Sequence, residues 1–201
     1  MPIFSTAYFP TINYVSQLVR YGKVKIEIFE TYPKQTYRNR TVISTANGIL
    51  ALSVPVEKNN GNHTFTKDVT ICNREDWRIK HWRAIQAAYN SSPYFLYYED
   101  DIRNLIFKDF KYLIDLNAEI LSCLLKKLKV TTEFSFSEDF LPVGTENDFR
   151  NAFSPKVAVP KDTPAYPQVF EERLGFQPNL SILDAIFNLG PETKSYLQGM
   201  D

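Results

Sequence analysis

The sequence predicts a single compact α/β domain in which a mixed sheet, built from N-terminal strands and a hairpin, packs against central helices. Three observations predict this class. Apolar and polar residues alternate at the period of a strand in the first third, and apolar residues recur at helical spacing in the middle. The chain has 201 residues with 44% hydrophobic and 23% charged residues, which suits one core. We therefore divide it into a strand-rich front (1–72), a helical centre (73–130) and a tail (131–201).

The front contains the clearest strand signals. Residues 4–9 predict a first strand ended by Pro10, and residues 12–21 predict a helix ended by Gly22. Strict alternation over residues 23–29 predicts a strand with one solvated face, near a sheet edge. Asn47-Gly48 lies between apolar runs at 41–45 and 49–56. This dipeptide predicts a hairpin turn with both residues at positive φ, and residues 65–71 could add a further strand.

The centre and tail continue with helices, one strand and a proline-rich loop. Asn73 is the predicted N-cap of a helix over 77–90, and residues 102–130 carry a long helical period with a bend near 109–115. Residues 131–137 alternate and predict a strand. Ser181 starts a last helix, with Asp184 as a weak capping box, which ends at Gly190-Pro191. Five prolines between residues 141 and 167 prevent a long helix or strand there, so we expect an ordered loop. They are Pro142, Pro155, Pro160, Pro164 and Pro167.

Composition limits the classes of function. Cys72 and Cys123 lack metal-ligand spacing, so we expect buried free thiols and no zinc site. The N-terminus lacks the features of a signal peptide, and no apolar run approaches the ~20 residues of a spanning helix. These features predict a cytoplasmic protein without a membrane span.

Charge is balanced overall but uneven along the chain. Residues 1–83 contain 12 Lys or Arg against 6 Asp or Glu, and residues 84–201 contain 11 against 17. Two explanations stay open: the halves attract each other, or the basic front supplies a pocket for an anionic ligand. A pI near 6.7 disfavours a nucleic-acid surface.

Common catalytic motifs are missing, so the candidate residues are individual side chains. His81, on a predicted helix, could act as an acid or base near pH 7; the alternative is a basic helix face anchored by Trp77 and Trp82. Arg38 and Arg40 flank Asn39 and project to one side of an extended chain. Such a pair suits a phosphate or carboxylate, unless it meets an internal acid such as Glu27 or Glu30.

Aromatic residues beside prolines form further candidates. Tyr8 and Tyr14 flank Phe9-Pro10, and Tyr166 precedes Pro167-Gln168; a third cluster spans 93–98. Loop tyrosines can stack on sugars or bases, whereas the alternative is a place in the core.

Several segments taken together resemble the WbqC-like protein family over about residues 6–190. The segments are Tyr8-Phe9-Pro10, Tyr37-Arg38-Asn39-Arg40, Leu52-Ser53-Val54-Pro55-Val56, Trp77 with Lys80-His81-Trp82, Ala88-Tyr89, Ser92-Pro93-Tyr94-Phe95, Leu116-Asn117, Tyr166 with Gln168 and Phe170, and Leu180-Ser181-Ile182-Leu183-Asp184 with Phe187-Asn188-Leu189-Gly190. The chain departs from the usual pattern at Thr6-Ala7, at Glu30 and in the proline-rich loop.

The resemblance implies a cytoplasmic protein of bacterial surface-polysaccharide (O-antigen-like) biosynthesis that acts on a nucleotide-activated or lipid-linked sugar. The leading hypothesis is a transferase that uses His81 or Asp184 as base. Its expected ligand is an anionic small molecule such as a nucleotide-sugar, and neither a cofactor nor an oligomeric state is identified. The substrate would contact Tyr8, Tyr14, Arg38, Asn39, Arg40, Tyr166, Gln168 and Asn188.

Two other hypotheses remain. The first is a non-catalytic binding or scaffold protein of the same pathway, in which Asp184 and Asn188 only pin the last helix. The second is a nucleotidyltransferase-like Rossmann relative, which the absence of an HxGH-like pair makes weaker.

Overall fold

The computed structural model describes residues 1–144, 146–159 and 163–200, so Pro160 of the predicted loop lies outside the described residues. The strands are β1 (Ile3–Ser5), β2 (Lys23–Glu27), β3 (Arg40–Thr45), β4 (Gly48–Ser53), β5 (Val56–Glu57), β6 (Thr70–Ile71) and β7 (Glu133–Phe136). The helices are α1 (Ile12–Val19), α2 (Trp77–Tyr89), α3 (Phe95–Phe107), α4 (Leu113–Lys127), α5 (Glu171–Leu174), α6 (Ile182–Leu189) and α7 (Thr193–Gln198). Single 3₁₀ turns span Gly61–His63, Thr66–Asp68 and Gly190–Glu192.

The main sheet is parallel, in the order β1-β2-β7. The prediction that β2 lies near a sheet edge is therefore wrong, because β2 pairs on both sides. Its alternation has another cause. Lys23, at the N-terminal end of the sheet, reaches solvent and forms a surface ion pair with Glu133 (3.1 Å), whereas Glu27 at the other end is fully buried.

The predicted hairpin is confirmed as the antiparallel pair β3–β4, whose last pair is Thr45 and Gly48. The two turn residues are therefore Ala46 and Asn47, and neither has a positive φ. Gly48, with φ of 105°, is the first residue of β4, so the predicted turn at Asn47-Gly48, with both residues at positive φ, is wrong by one residue. The hairpin and the β5–β6 pair form sheets of their own beside the parallel sheet.

The central helices follow the predicted pattern with two changes. Asp76, not Asn73, is the N-cap residue of α2. Asn73 Oδ1 in the side chain instead accepts a hydrogen bond from Arg78 Nη1 (2.8 Å). The bend predicted near 109–115 is the break between α3 and α4, although α3 begins earlier than its periodicity indicates, after Pro93.

The last predicted helix is confirmed as α6. Ser181 Oγ accepts from the Leu183 backbone N–H (3.3 Å), and Gly190 ends the helix with φ of 53°. A Cβ at Gly190 would lie 2.5 Å from the Tyr94 ring, so a larger residue would displace α3 from α6. The short helices α5 and α7 were not predicted, since each has too few residues for a periodic signal.

One apolar core extends from Phe4 to Met200 and includes residues of the parallel sheet, the hairpin and helices from both halves. The predicted class, a single compact α/β domain, is confirmed. Cys72 and Cys123 are unpaired, but both are half-buried instead of buried. Among the helices of the described residues, none has the length and apolar character needed to cross a bilayer.

Candidate functional site

The predicted site residues fall into two polar clusters and a structural remainder. We call the first the His81 cluster; it comprises Tyr8, Arg40, Trp77, Arg78 and His81. We call the second the Asp184 cluster; it comprises Tyr166, Gln168, Asp184 and Asn188. The remainder is Tyr14, Arg38 and Asn39, whose contacts support the fold.

A buried tyrosine–histidine pair forms the centre of the His81 cluster. The Tyr8 hydroxyl lies 2.9 Å from His81 Nδ1, and Trp77, one turn earlier on α2, packs edge-on against the His81 ring at 5.1 Å. Burial lowers the pKa of His81 to about 4, opposed by a hydrogen bond to the Ser53 backbone, and burial raises the pKa of Tyr8. We therefore assign a neutral imidazole at pH 7, whose Nδ1 accepts a hydrogen bond from the Tyr8 hydroxyl.

The His81 cluster also contains N–H donors without acceptors. Arg40 Nε, Trp77 Nε1 and Arg78 Nε are buried and have no hydrogen-bond partner among the described residues. Arg40 lies across the β3–β4 ladder from Ser53, whose backbone bonds to His81. Buried donors left unpaired are costly, so this cluster has unused capacity for a ligand rich in acceptors.

Arg78 is partly committed to neighbouring groups. Its guanidinium lies 4.7 Å above the Trp77 ring, and Nη1 donates to Asn73. Nη2 lies 3.2 Å from Asp109 Oδ1 in an ion pair with a strongly exposed carboxylate, without hydrogen-bond geometry. A surface pair of this kind is weak, so it does not neutralise the cluster. The remaining charge and Nε–H favour an anion.

Arg38, which the sequence hypothesis placed with Arg40 on an anionic ligand, is paired with an internal acid. Its Nε and Nη2 lie 2.9 and 2.5 Å from Glu30 Oε1, and its side chain is 4% exposed. The two explanations for Arg38 were an anionic ligand and an internal salt bridge, and the structure shows the salt bridge. The chain turns at 37–38 and becomes a strand only at Arg40, so the extended-chain assumption that placed both side chains together is wrong.

Asn39 and Tyr14 also bond to the backbone. Asn39 Nδ2 donates to the Val54 carbonyl (2.8 Å), which holds the entrance of the hairpin. The Tyr14 hydroxyl donates to the Ser5 carbonyl (2.7 Å) from within the core. These contacts correspond to the structural alternatives for both residues.

The Asp184 cluster brings together four of the predicted site residues, which the sequence hypothesis had placed in one site with Arg38 and Arg40. Asp184 Oδ2 accepts from the Tyr166 hydroxyl and from Gln168 Nε2, both at 3.2 Å, and Oδ1 accepts from Asn188 Nδ2 (3.2 Å). Gln168 also exchanges two backbone bonds with Gln177. The Asp184 carboxylate thus ties the tail to α6 instead of completing a capping box.

Burial controls the charge of Asp184. The residue is 1% exposed, and burial raises its pKa to about 7, against the bonds from Tyr166 and Gln168. The carboxyl therefore titrates near neutral pH, as a general acid or base must. The buried Tyr89 hydroxyl, whose pKa burial and the nearby Asp184 charge raise, has no hydrogen-bond partner among the described residues.

The sequence interpretation missed Arg78 as a site residue. Helical spacing paired Arg78 with Trp82, but its guanidinium packs on the preceding ring of Trp77. The i,i+3 relation between Arg78 and His81 was the available signal. Within the described residues, no group of three or more His, Cys, Asp or Glu is arranged to hold a metal ion.

Comparisons with known proteins give one family and one uncharacterised relative. A family model described as the WbqC-like protein family matches residues 6–158 and 145–196. The uncharacterized protein Rv1507c of Mycobacterium tuberculosis (strain ATCC 25618 / H37Rv) is 25% identical over 218 residues, which covers 95% of this chain and 91% of the relative. No solved structure matches the chain.

Proposed function

The chain belongs to the WbqC-like protein family, and on that premise we propose that it is a cytoplasmic protein of bacterial surface-polysaccharide (O-antigen-like) biosynthesis. Its proposed activity is to modify an activated sugar or to transfer a group to it. The family resemblance supports the pathway, and the His81 cluster supports the class of ligand.

The observation that carries the ligand class is the set of buried N–H groups without acceptors on Arg40, Trp77 and Arg78. Phosphate oxygens accept several hydrogen bonds at once, and guanidinium donors match their geometry. A nucleotide-sugar carries such phosphates. Binding would supply the missing acceptors, so the free energy lost by leaving the donors unpaired would be regained in the complex.

His81 is the proposed proton acceptor, because it lies beside these donors while Asp184 belongs to the other cluster. Transfer of an acyl group from an acyl-CoA to a sugar hydroxyl would form an ester bond as the thioester bond breaks, and the CoA thiolate leaves while the hydroxyl loses its proton. Burial keeps His81 neutral at pH 7, and its Nδ1 can take that proton once the Tyr8 hydroxyl no longer occupies it. Arg40 and Arg78 would position the phosphates of the activated sugar that carries this hydroxyl.

Thermal unfolding against a panel of nucleotides, nucleotide-sugars, acyl-CoAs and free sugars tests this proposal. A ligand at about 100 times its dissociation constant adds about 2.7 kcal/mol, which is a rise in Tm of roughly 5–11 °C for a domain of this size. We expect a nucleotide-sugar to produce this rise in the wild type and little rise in Arg40→Gln.

Arg74→Gln is the matched control, since Arg74 is 85% exposed and pairs only with Glu57 at the surface. It should keep the full ligand-induced rise. A rise that survives in Arg40→Gln, or a panel in which no nucleotide-sugar raises Tm, would rule out the site.

The second candidate, a non-catalytic binding protein of the same pathway, is favoured by one observation. Both predicted catalytic groups are closed off from solvent, with His81 at 4% and Asp184 at 1% exposure. Incubation with the stabilising nucleotide-sugar and a group donor from the panel, such as an acyl-CoA, followed by mass spectrometry, separates the two candidates. A new product that disappears in His81→Asn supports the enzyme, whereas an unchanged bound sugar supports the binding protein.

A further inference from the structure

A groove outside both clusters lies between α1 and the proline-rich segment. We call it the α1 groove; its volume is about 460 Å³, within the range of small-molecule sites. Its described lining residues are Asn13, Ser16, Gln17, Ala152, Phe153, Ser154, Val157, Ala158, Thr163, Pro164, Asn179, Gly199 and Met200.

The described lining of the α1 groove is polar and holds no charged side chain. None of its described residues is Asp, Glu, Lys, Arg or His, whereas three are carboxamides: Asn13, Gln17 and Asn179. A carboxamide both donates and accepts hydrogen bonds, as does an alcohol hydroxyl. A phosphate or carboxylate would lose its hydration here without gaining a charged partner among the described lining residues, so this lining suits a neutral ligand with hydroxyl groups.

Asn13 supplies an acceptor that the protein leaves unused. Its Oδ1 is buried and has no hydrogen-bond partner among the described residues, while its backbone N–H donates to Asn179 Oδ1 (3.1 Å). Asn179 adopts a positive φ of 55°, a conformation that asparagine tolerates better than most residues. A rotation of the Asn13 carboxamide about χ2 would present its oxygen to a ligand hydroxyl.

Phe153 supplies one apolar wall. Its ring stacks parallel to Phe4 (6.2 Å between centroids, 2° between planes) and meets Tyr14 edge-on at 5.4 Å. These contacts with the core hold the ring in place, so it offers a rigid surface at low entropic cost. A pyranose ring has C–H groups on its faces and hydroxyls at its edge, which matches an aromatic wall with carboxamides beside it.

We propose that the α1 groove binds an uncharged sugar unit. The inference rests on the proposed function, because it identifies a carbohydrate subsite in the same protein, separate from the anion-binding donors of Arg40. A peptide segment is the less suitable occupant, because apolar side chains would leave the carboxamides without partners.

Saturation-transfer NMR with neutral methyl glycosides of glucose, galactose, mannose and rhamnose tests the groove. At least one glycoside should bind the wild type, and a titration should show at least fivefold weaker binding by Asn13→Ala. The same substitution removes an unpartnered acceptor from a helix, so the Tm of the free protein should not fall. Gln86→Ala, at an exposed position on α2, is the control and should bind as the wild type does.

Two results would overturn the inference: no saturation transfer to any of the four glycosides, or equal binding by Asn13→Ala and the wild type. Methyl glycosides carry no charge, so Arg40→Gln should bind them normally. The two experiments are therefore independent. The Arg40→Gln result tests the anion site even when no glycoside binds the groove, and glycoside binding tests the groove even when no nucleotide-sugar raises Tm.

Discussion

The His81 cluster and the Asp184 cluster respond to burial in opposite ways. Burial favours the neutral form of each group, so it lowers the pKa of His81 to about 4 and raises that of Asp184 to about 7. The Asp184 carboxylate accepts three hydrogen bonds from neighbours, whereas four buried nitrogens of the His81 cluster, including Arg78 Nη2, have no hydrogen-bond partner among the described residues. A satisfied network stabilises the fold, and an unsatisfied one retains binding capacity.

Arg38 and Arg40 repeat this contrast within two residues of sequence. The Arg38 guanidinium is paired with Glu30, and Arg40 Nε is buried without a partner. The first therefore has a structural task, and the second is free to act on a ligand. Each prediction below tests whether paired and unpaired groups differ in this manner.

The largest effect is expected for Arg38→Gln. Removing one partner of a buried ion pair leaves the other charge uncompensated and costs about 3–5 kcal/mol. Denaturant unfolding should show this loss, while Arg40→Gln, which breaks no pair, should change the free energy of unfolding by less than about 0.5 kcal/mol. Equal losses in the two variants would contradict the contrast.

Asp184 should make the wild type less stable as pH rises. Its pKa is raised from an ordinary 3.8 to about 7, so between these values the folded protein retains a proton that the unfolded chain has released. Stability from this group falls by roughly 4 kcal/mol between about pH 4 and pH 7. Asp184→Asn should lack this fall, so the fall should appear in the wild-type-minus-variant curve of unfolding free energy against pH.

Gln86→Ala, which changes an exposed side chain that does not titrate, is the control for that measurement, and its difference curve should be flat. A flat difference curve for Asp184→Asn would instead mean that the buried carboxyl keeps an ordinary pKa. The network of Tyr166, Gln168 and Asn188 would then outweigh burial.

His81 should contribute a smaller effect of the opposite sign. Its pKa falls from 6.5 to about 4, so below pH 6.5 the unfolded chain gains a proton that the folded protein does not. Stability from this group falls by roughly 3 kcal/mol as pH drops from 6.5 to 4. The difference curve for His81→Asn should show this slope, and that for Gln86→Ala, which changes no titratable group, should not.

The two slopes partly cancel in the wild type between pH 4 and 6.5. Each single variant should therefore depend on pH more strongly than the wild type does across that window. Difference curves with slopes of the same sign for Asp184→Asn and His81→Asn would contradict the conclusion that burial shifts the two pKa values in opposite directions.

Local sequence was enough for features that depend on neighbouring residues. Asn47-Gly48 predicted the hairpin, Ser181 and Gly190 predicted the ends of α6, and the apolar period predicted the helical centre. Turn chemistry, capping and amphipathic spacing act over a few residues, so they can be read from the chain alone.

Only the tertiary structure decided which polar groups are paired. Arg38 meets Glu30 because the chain turns before β3, and β2 is central because β7, more than a hundred residues later, pairs beside it. Tyr8 and His81 are 73 residues apart, yet they share one hydrogen bond. Desolvation and pairing depend on what lies nearby in space; the sequence determined which groups were available, and packing determined their partners and their charge.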